Sequence, residues 1–421
     1  MKKIVFLNIM FICSFCSCKG QNENAIIFEE VWSNVNDDFF DPNFDTVNWL
    51  VIKKEYEPLI QNCNNNEDLF LTLNKMIFEL NSSHCGVGLL SELESNVSPY
   101  IFKKGEIGLD IRIIENQIIV TNVLKNSSAD NANIKLGYKI QNIDGLTLED
   151  INQLVNYKPP FNKRNKRFHL TSEVLRKIYG EPKTKVKITF LDKYNFLTTV
   201  ILTRTKRNSE INIGEGLPDA FVQSKSYFIS KDIAYLSFNA FQPNNLDHVL
   251  FNLDKVYKSK GLIIDLRGND GGSIEGMKLL LGRFISERKK YGTYINRNER
   301  NDDFIEPITP KYLGKLVLLV DEMSISAAEN TAGIIKQFNL GKVIGNQTPG
   351  QMLWGNGYLI NDSIALAIPI YKLEYPNGFN PENNGIHPDF KIGLNRKDLL
   401  NGIDSQLSFA INYLNNLITK Q

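Results

Sequence analysis

The chain is 421 residues long and carries 48 Lys plus Arg against 47 Asp plus Glu, a formal charge of +1 that excludes the basic footprint of a dedicated nucleic-acid binder. Hydrophobic residues at 42%, aromatics at 10% and charged residues at 23% exclude a disordered, collagen-like or polytopic membrane chain. At about 150 residues per domain, the length predicts two to four domains.

Lys2 and Lys3 precede an apolar run from Ile4 to about Cys16. That is the plan of a secretory signal peptide, and it falls short of the about 20 apolar residues that cross a bilayer. Phe15-Cys16-Ser17-Cys18-Lys19 resembles a bacterial lipoprotein signal. The resemblance implies removal of residues 1–17 and lipidation of Cys18, with plain secretion as the alternative. The expected location is the bacterial cell envelope, at a membrane surface facing the periplasm or the exterior. Maturation leaves Cys18, Cys63 and Cys85. Three cysteines make no disulfide scaffold, and a Cys63–Cys85 bridge and two free thiols both stay open.

Residues 18–95 read as a helical domain, with Phe28, Val31, Trp32 and Val35 on one face, then Leu69, Leu73, Met76, Ile77 and Leu80. From about Gly105 the texture changes to short β-branched runs at Ile111–Ile114, Gln117–Val123, Tyr138–Ile143, Val186–Leu191 and Thr198–Thr203. Small residues from Ser127 to Asp130 and the turn Ile143-Asp144-Gly145 fall between them. This order resembles a PDZ domain over residues 96–205. The resemblance implies a peptide-binding loop at Gly105, Ile107, Gly108 and Leu109, whose backbone N–H groups hold a chain-end carboxylate. The basic run Lys158–Arg167 reads as a solvated loop. Over residues 206–400, apolar strands at Ala234–Phe238, Gly261–Leu266 and Leu316–Val320 alternate with helices at Leu246–Tyr257, Ser273–Ile285 and Ser326–Gln337. Such alternation predicts an α/β layer structure, closed by a C-terminal helix in residues 401–421.

Two strand-to-helix junctions carry unusual sequence: Asp265-Leu266-Arg267-Gly268-Asn269-Asp270-Gly271-Gly272, and Asp321 through Ser326-Ala327-Ala328-Glu329. Glycines at a helix start suit an anion, but neither G-x-x-x-x-G-K-[ST] nor G-x-G-x-x-G spacing is present for a phosphate. Ser326 with Glu329 also satisfies a helix capping box, a purely structural role. Together with Gly345-Asn346-Gln347-Thr348-Pro349-Gly350, in this order and spacing, the junctions resemble the C-terminal processing, or tail-specific, serine peptidases. The fold this implies is α+β and multidomain: a helical domain, a PDZ-like β domain and an α/β catalytic domain of crotonase-like ββα type.

That family has two catalytic designs. One needs a lysine just after the Thr-x-Gly turn, where this chain has Gly350-Gln351-Met352-Leu353, and an amide is no general base near neutral pH. The other, in the tricorn-like branch, uses a Ser–His pair and a distant glutamate. Ser83-His84 and Glu382, the latter in a Glu-Asn-x-Gly-x-x-Pro-Asp stretch, match it. The resemblance thus implies Ser326 as nucleophile, His84 as base, Ser83 and Glu382 as its support, and an oxyanion site from Ala327 with Gly271 or Gly272. Asp270 stands beside that site where the family often has glycine. His387 is the rival base, while His169 and His248 have nothing nearby that needs one. No metal-ligand spacing occurs, which disfavours a zinc hydrolase, and the resemblance implies neither a metal nor an organic cofactor. The implied activity is that of a serine endopeptidase acting on extended or C-terminal polypeptide segments. Two alternatives stand beside it. One is a non-catalytic binder of peptides or apolar ligands, since the resemblance extends to the interphotoreceptor retinoid-binding protein modules. The other is a scaffold working through the PDZ-like domain alone.

Overall fold

The computed structural model describes residues 12–89, 104–157, 165–207, 210–211 and 220–420. The leader reading falls largely on residues 1–11, outside the described residues, and Cys18 stands in a stretch of the first helix whose side chains are not described.

Helices α1 (Ile12–Asp38), α2 (Trp49–Gln61) and α3 (Asn66–Phe78) form the N-terminal unit. The side chains of Asn48 and Asn65 accept the N–H groups of Val51 and Asp68, so α2 and α3 start where an amide satisfies a first-turn donor. Phe28, Val31, Leu69, Leu73 and Met76 are buried, and Trp32 stacks on Trp49 with ring centroids 6.4 Å apart. The helices do not close this core alone: Ile360, Ile364, Leu366 and Ile368, from far downstream, complete it. The bridge to them is β1 (Gly86–Leu89), which pairs antiparallel with the strand Ile364–Glu374 in the register Gly86↔Ala367.

The next unit opens with β2 (Gly105–Glu106), β3 (Leu109–Ile114) and β4 (Gln117–Val123). It continues through α4 (Ser128–Asn131), β5 (Lys139–Ile143), α5 (Leu148–Tyr157) and α6 (Lys166–Ile178). β6 (Lys185–Leu191), β7 (Leu197–Thr203) and β8 (Thr205–Lys206) end it. Strands β3-β4-β5-β6-β7 form an antiparallel meander, α6 packs beside β3, and β2 pairs with β8. Sequence reading missed α5 and α6: the basic run taken for a loop ends inside α6, whose first residues Lys166 and Arg167 are exposed, and positions 158–164 lie outside the described residues.

After the short pair β9 (Glu210–Ile211) and β10 (Ala220–Phe221) come β11 (Ser224–Phe228), β12 (Ile233–Phe238), α7 (Pro243–Val256), β13 (Gly261–Asp265) and α8 (Ile274–Gly282). The hairpin β14 (Lys289–Ile295) and β15 (Arg300–Ile305) precedes β16 (Lys315–Val320), α9 (Ala327–Gln337) and β17 (Gly341–Gly345). The chain ends with β18 (Trp354–Asn361), β19 (Ile364–Glu374), β20 (Phe390–Lys391), α10 (Arg396–Leu400) and α11 (Ser405–Ile418). The central sheet runs β11-β12-β13-β16-β17-β20, parallel from β12 onward. Helices α7, α8 and α9 cover one face, and α11 covers the other by seating Ala410 and Leu414 against Ile263, Val317 and Leu319. With both faces covered, all five residues of β13 are buried. β13 and β16 are adjacent in register, Asp265 opposite Leu319, so the two unusual junctions leave neighbouring strand ends. A second sheet, β1-β19-β14-β15 with β18 on β19, joins the helical unit to this one.

Candidate active site

Asp321, the first residue after β16, is buried and accepts the N–H groups of Gly268 and Met323, each at 3.0 Å. Ser324 donates its hydroxyl to the Leu266 carbonyl at 2.7 Å. The two junctions are thereby stapled together. Arg112 of β3, also buried, donates Nε to Asp321 at 2.6 Å and so ties the meander to the same turn. Ser326 follows at φ 55° and ψ −116°, a conformation that costs a residue with a Cβ about 1–3 kcal/mol and persists only where neighbours enforce it.

The enforcement is visible. The Ser326 N–H donates to the Gln351 carbonyl at 3.1 Å and to the Glu329 carboxylate at 3.2 Å. Fully buried Glu329 also accepts the Thr348 hydroxyl at 2.5 Å and the N–H groups of Gly350 and Gln351 at 2.7 and 2.8 Å. Burial pushes its carboxyl up to about 7 in spite of these donors. The capping-box glutamate thus clamps the serine turn onto the Thr348–Gln351 turn.

Gly271 lies against the serine. A Cβ there would fall 2.6 Å from the Ser326 Cβ and 2.9 Å from the Ala327 nitrogen, and its φ is +74°, so this position takes only glycine. Its N–H is engaged by Asn269 Oδ1 at 2.9 Å. Phe241 bonds the residues on either side of Gly272, donating to the Gly271 carbonyl at 2.7 Å and accepting the Ser273 N–H at 2.6 Å. The Gly272 N–H therefore faces away from Phe241. Of the two glycines expected from sequence, Gly271 lies against the serine with its N–H engaged, while Gly272 lies against Phe241. Asp270 is half-buried with its N–H on the Asn239 carbonyl at 3.0 Å.

Ser83 and His84 sit on the link from α3 to β1. Ser83 Oγ lies 3.0 Å from His84 Nδ1 and 3.0 Å from Glu382 Oε2, and accepts the Leu353 N–H at 3.3 Å. Glu382 also accepts the N–H groups of Ser83 at 2.8 Å and Met352 at 2.9 Å. The hydroxyl has one proton and an ionised carboxylate can only accept, so Ser83 donates to Glu382 and receives Nδ1–H from His84. This assignment leaves Nε2 with its lone pair free. Burial lowers the imidazole to about 4 and raises the Glu382 carboxyl. One short strip joins this cluster to the serine: Gln351 bonds Ser326, Met352 bonds Glu382, and Leu353 bonds Ser83. Two residues of chain reach at most about 7 Å. The structure thus brings residues 83, 84 and 382 together and ties them, through the strip 351–353, to the turn that carries residue 326.

The other histidines stand apart. His387 is exposed, and its carbonyl is held by Lys336, ten residues along α9 from Ser326 or about 15 Å. His169 is on α6 with its imidazole lowered to about 4 by burial, and His248 is exposed on α7. Cys63 and Cys85 are free thiols, Cys85 with its Sγ 2.9 Å from the Ser82 carbonyl. Among the described residues no group of His, Cys, Asp or Glu is arranged to hold a metal ion, and no helix is long and apolar enough to cross a membrane.

The loop Gly105–Leu109 is fixed by backbone bonds, with the Ile107 carbonyl on the Ala129 N–H at 3.0 Å and that of Gly108 on the Leu124 N–H at 2.8 Å. Gly108 and Leu109 line an open cleft of about 1060 Å³ whose other wall carries Tyr235 and Asp265 of the central sheet, Phe251 of α7 and Leu407 of α11. Its lining reaches Gly268 and Asp321 and stops short of Ser326 and His84. Sequence reasoning missed the Arg112–Asp321 pair, whose partners are 209 positions apart, and the backbone donors of residues 350–353, which no side chain announces.

A profile described as "Peptidase family S41" matches residues 232–392, and one described as "Tricorn protease C1 domain" matches residues 21–78. The carboxy-terminal processing protease CtpB of Bacillus subtilis is 24% identical over 322 residues, covering 72% of this chain and 61% of its own. The carboxyl-terminal-processing protease of Synechocystis is 23% identical over 386 residues, covering 88% and 83%. The chain spans about three fifths of the length of the first curated relatives it matches. In fold, it resembles the photosystem II D1 C-terminal processing protease, with a TM-score of 0.57 at 19% identity over 93% of this chain and 97% of that one. The tricorn protease gives a TM-score of 0.52 at 20% identity over 94% of this chain and 36% of its own.

Proposed function

On the premise that the chain carries a peptidase family S41 domain over residues 232–392 and a tricorn protease C1 domain over residues 21–78, we propose that it is a serine endopeptidase of the Ser/His/Ser/Glu design. Ser326 Oγ attacks the peptide carbonyl while His84 Nε2 takes its proton. The oxyanion is held by the N–H groups of Ala327 and Gly272, donors of a kind worth roughly 10²–10³ each in rate. His84 then passes the proton to the leaving amine, and a water deprotonated by His84 hydrolyses the acyl ester on Ser326. Ser83 and Glu382 keep the imidazole in the tautomer whose Nε2 is a base. The substrate is an extended or C-terminal polypeptide segment whose end is received by a PDZ-like domain at Gly105, Ile107, Gly108 and Leu109.

The observation that carries this reading is the strip Gln351–Leu353, which bonds the serine turn at one end and the Ser83–Glu382 support of the imidazole at the other. A fluorophosphonate probe is expected to label the protein at Ser326, and Ser326→Ala to abolish both the label and cleavage of an unfolded polypeptide. A wild-type protein that stays unlabelled under conditions where it is folded would leave the non-catalytic binder as the better reading.

Anchoring at the cell envelope through Cys18 belongs to the same proposal. Mass spectrometry of the purified protein should find a diacylglyceryl group on an N-terminal Cys18, and Cys18→Ser should move the protein from the membrane fraction to the soluble one. A mature chain beginning elsewhere would sink this part alone.

A further inference from the structure

The chain contains three tryptophans. Trp32 and Trp49 lie in the helical core at 9% and 2% exposure, whereas Trp354 is 47% exposed. It is held in place nonetheless. Its ring centroid lies 5.5 Å from that of Tyr371 and 5.7 Å from that of Tyr294, and the two tyrosines are 6.2 Å apart. Trp354 pairs with Tyr371 across β18 and β19, and Tyr294 pairs with Leu373 across β14 and β19. Tyr371 and Leu373 are two residues apart on one strand and share a face. Leu373 is buried in the core that also contains Met352 and Ala327, so the aromatic group is the solvent end of the face that packs onto α8 and α9. The chain places it beside the candidate chemistry: Trp354 directly follows Leu353, whose N–H bonds Ser83, and stands three residues after Gln351, whose carbonyl bonds Ser326.

An indole half open to water, braced edge-to-face by Tyr294 and at a 40° tilt by Tyr371, is a preorganised apolar surface that lost its side-chain freedom on folding. We propose that Trp354, with Tyr294 and Tyr371 behind it, is a specificity wall that receives a large apolar or aromatic side chain of the polypeptide close to the scissile bond. The proposal rests on the peptidase reading for its occupant and on the packing of residues 294, 354 and 371 for its location. A hydrophobic contact of this kind discriminates substrates by roughly 10–200-fold.

The test uses intrinsic fluorescence, because Trp354 is the one exposed tryptophan. Full-length Ser326→Ala protein is titrated with acetylated decapeptides that differ only in carrying Phe, Leu, Ala or Gly at one central position. The Phe and Leu peptides are expected to shift the emission to shorter wavelength and to bind at least about tenfold more tightly than the Gly peptide. Trp354→Phe in this background should remove the shift and keep the binding. In the Ser326-containing protein, Trp354→Ala should lose most of the Phe-over-Gly preference in kcat/KM, chiefly through KM, with the rate of fluorophosphonate labelling within about twofold of wild type. Unchanged emission at saturating peptide, or an unchanged preference in a normally labelled Trp354→Ala protein, overturns the wall. Absence of labelling in the wild type would overturn the peptidase reading instead, and the fluorescence titration would still decide whether the wall binds apolar side chains.

Discussion

His84→Asn is expected to slow acylation of Ser326 by about 10⁴-fold with little change in the affinity for substrate. Asparagine is chosen over alanine because residue 84 has a φ of +57°, a region that asparagine tolerates well and alanine does not. Its amide takes no proton from the serine hydroxyl, so the variant isolates the loss of a base from any loss of local structure. Ser83→Ala should be damaging for a related reason. With the hydroxyl gone, Nδ1–H loses its acceptor, the Glu382 carboxylate loses one of its donors, and the imidazole has nothing to select the tautomer that leaves Nε2 as the base. The measurement is the second-order rate of fluorophosphonate labelling beside the thermal unfolding midpoint. A His84→Asn protein that is folded and labels at the wild-type rate would falsify the assignment of the base.

The same residue sets a pH dependence whose sign follows from its surroundings. A base works in its neutral form, and burial lowers the His84 imidazole from 6.5 to about 4. The acid limb of labelling that belongs to His84 is therefore expected near pH 4, well below that of an exposed histidine. Stability runs in the same direction. The unfolded chain takes up the proton near pH 6.5 and the folded one only near 4, so the contribution of this group is complete above 6.5 and is lost as pH falls toward 4. Glu382 and Cys85 are the titratable groups on either side of the pair, and burial raises both, which keeps the thiol neutral throughout this window.

Much of this candidate site is legible in the sequence. Gly271, Ser326, Glu329, His84 and Glu382 are side chains, or a deliberate absence of one, that chemistry restricts tightly, and such residues leave marks in sequence. The parallel strands β12, β13 and β16 announced themselves because burial on both faces turns them into unbroken apolar runs. What stayed hidden has a different physical character. The donors of residues 350–353 belong to the backbone and are the same for every amino acid except proline. β18 and β19 are antiparallel strands of a half-exposed sheet, with Trp354 and Leu359 open to water, so their pattern is too weak to read as a core. The helical unit looked self-sufficient because periodicity reports which face of a helix is buried and is silent on what covers it. The covering is β19, nearly 300 residues downstream. Nor does any local pattern show that Asn269 folds back onto the Gly271 N–H and so distinguishes it from that of Gly272.

Glu329→Ala is expected to cost about 3–5 kcal/mol of folding stability and to lower turnover by at least about 10²-fold in the molecules that remain folded. The stability loss follows from the donors that converge on one buried carboxylate. Without it the Thr348 hydroxyl and the N–H groups of Gly350 and Gln351 lose their acceptor, while the Ser326 N–H keeps only the Gln351 carbonyl. The loss of turnover follows from the positive φ of Ser326. A strained turn released from its clamp relaxes, and a hydroxyl displaced by about 1 Å from its base no longer attacks in line. Glu329→Gln separates the two effects. Its volume is unchanged, but its amide NH₂ has to face either the Ser326 and Gln351 donors or the Thr348 and Gly350 donors. Thr348 can turn its hydroxyl round to accept, whereas a backbone N–H cannot. The glutamine variant is therefore expected to be destabilised less than the alanine variant and still to label slowly at Ser326. Urea unfolding and labelling rates on the same two proteins decide the matter. If Glu329→Gln matches wild type in labelling while Glu329→Ala does not, the glutamate fills space near the serine and the clamp is not what holds the turn.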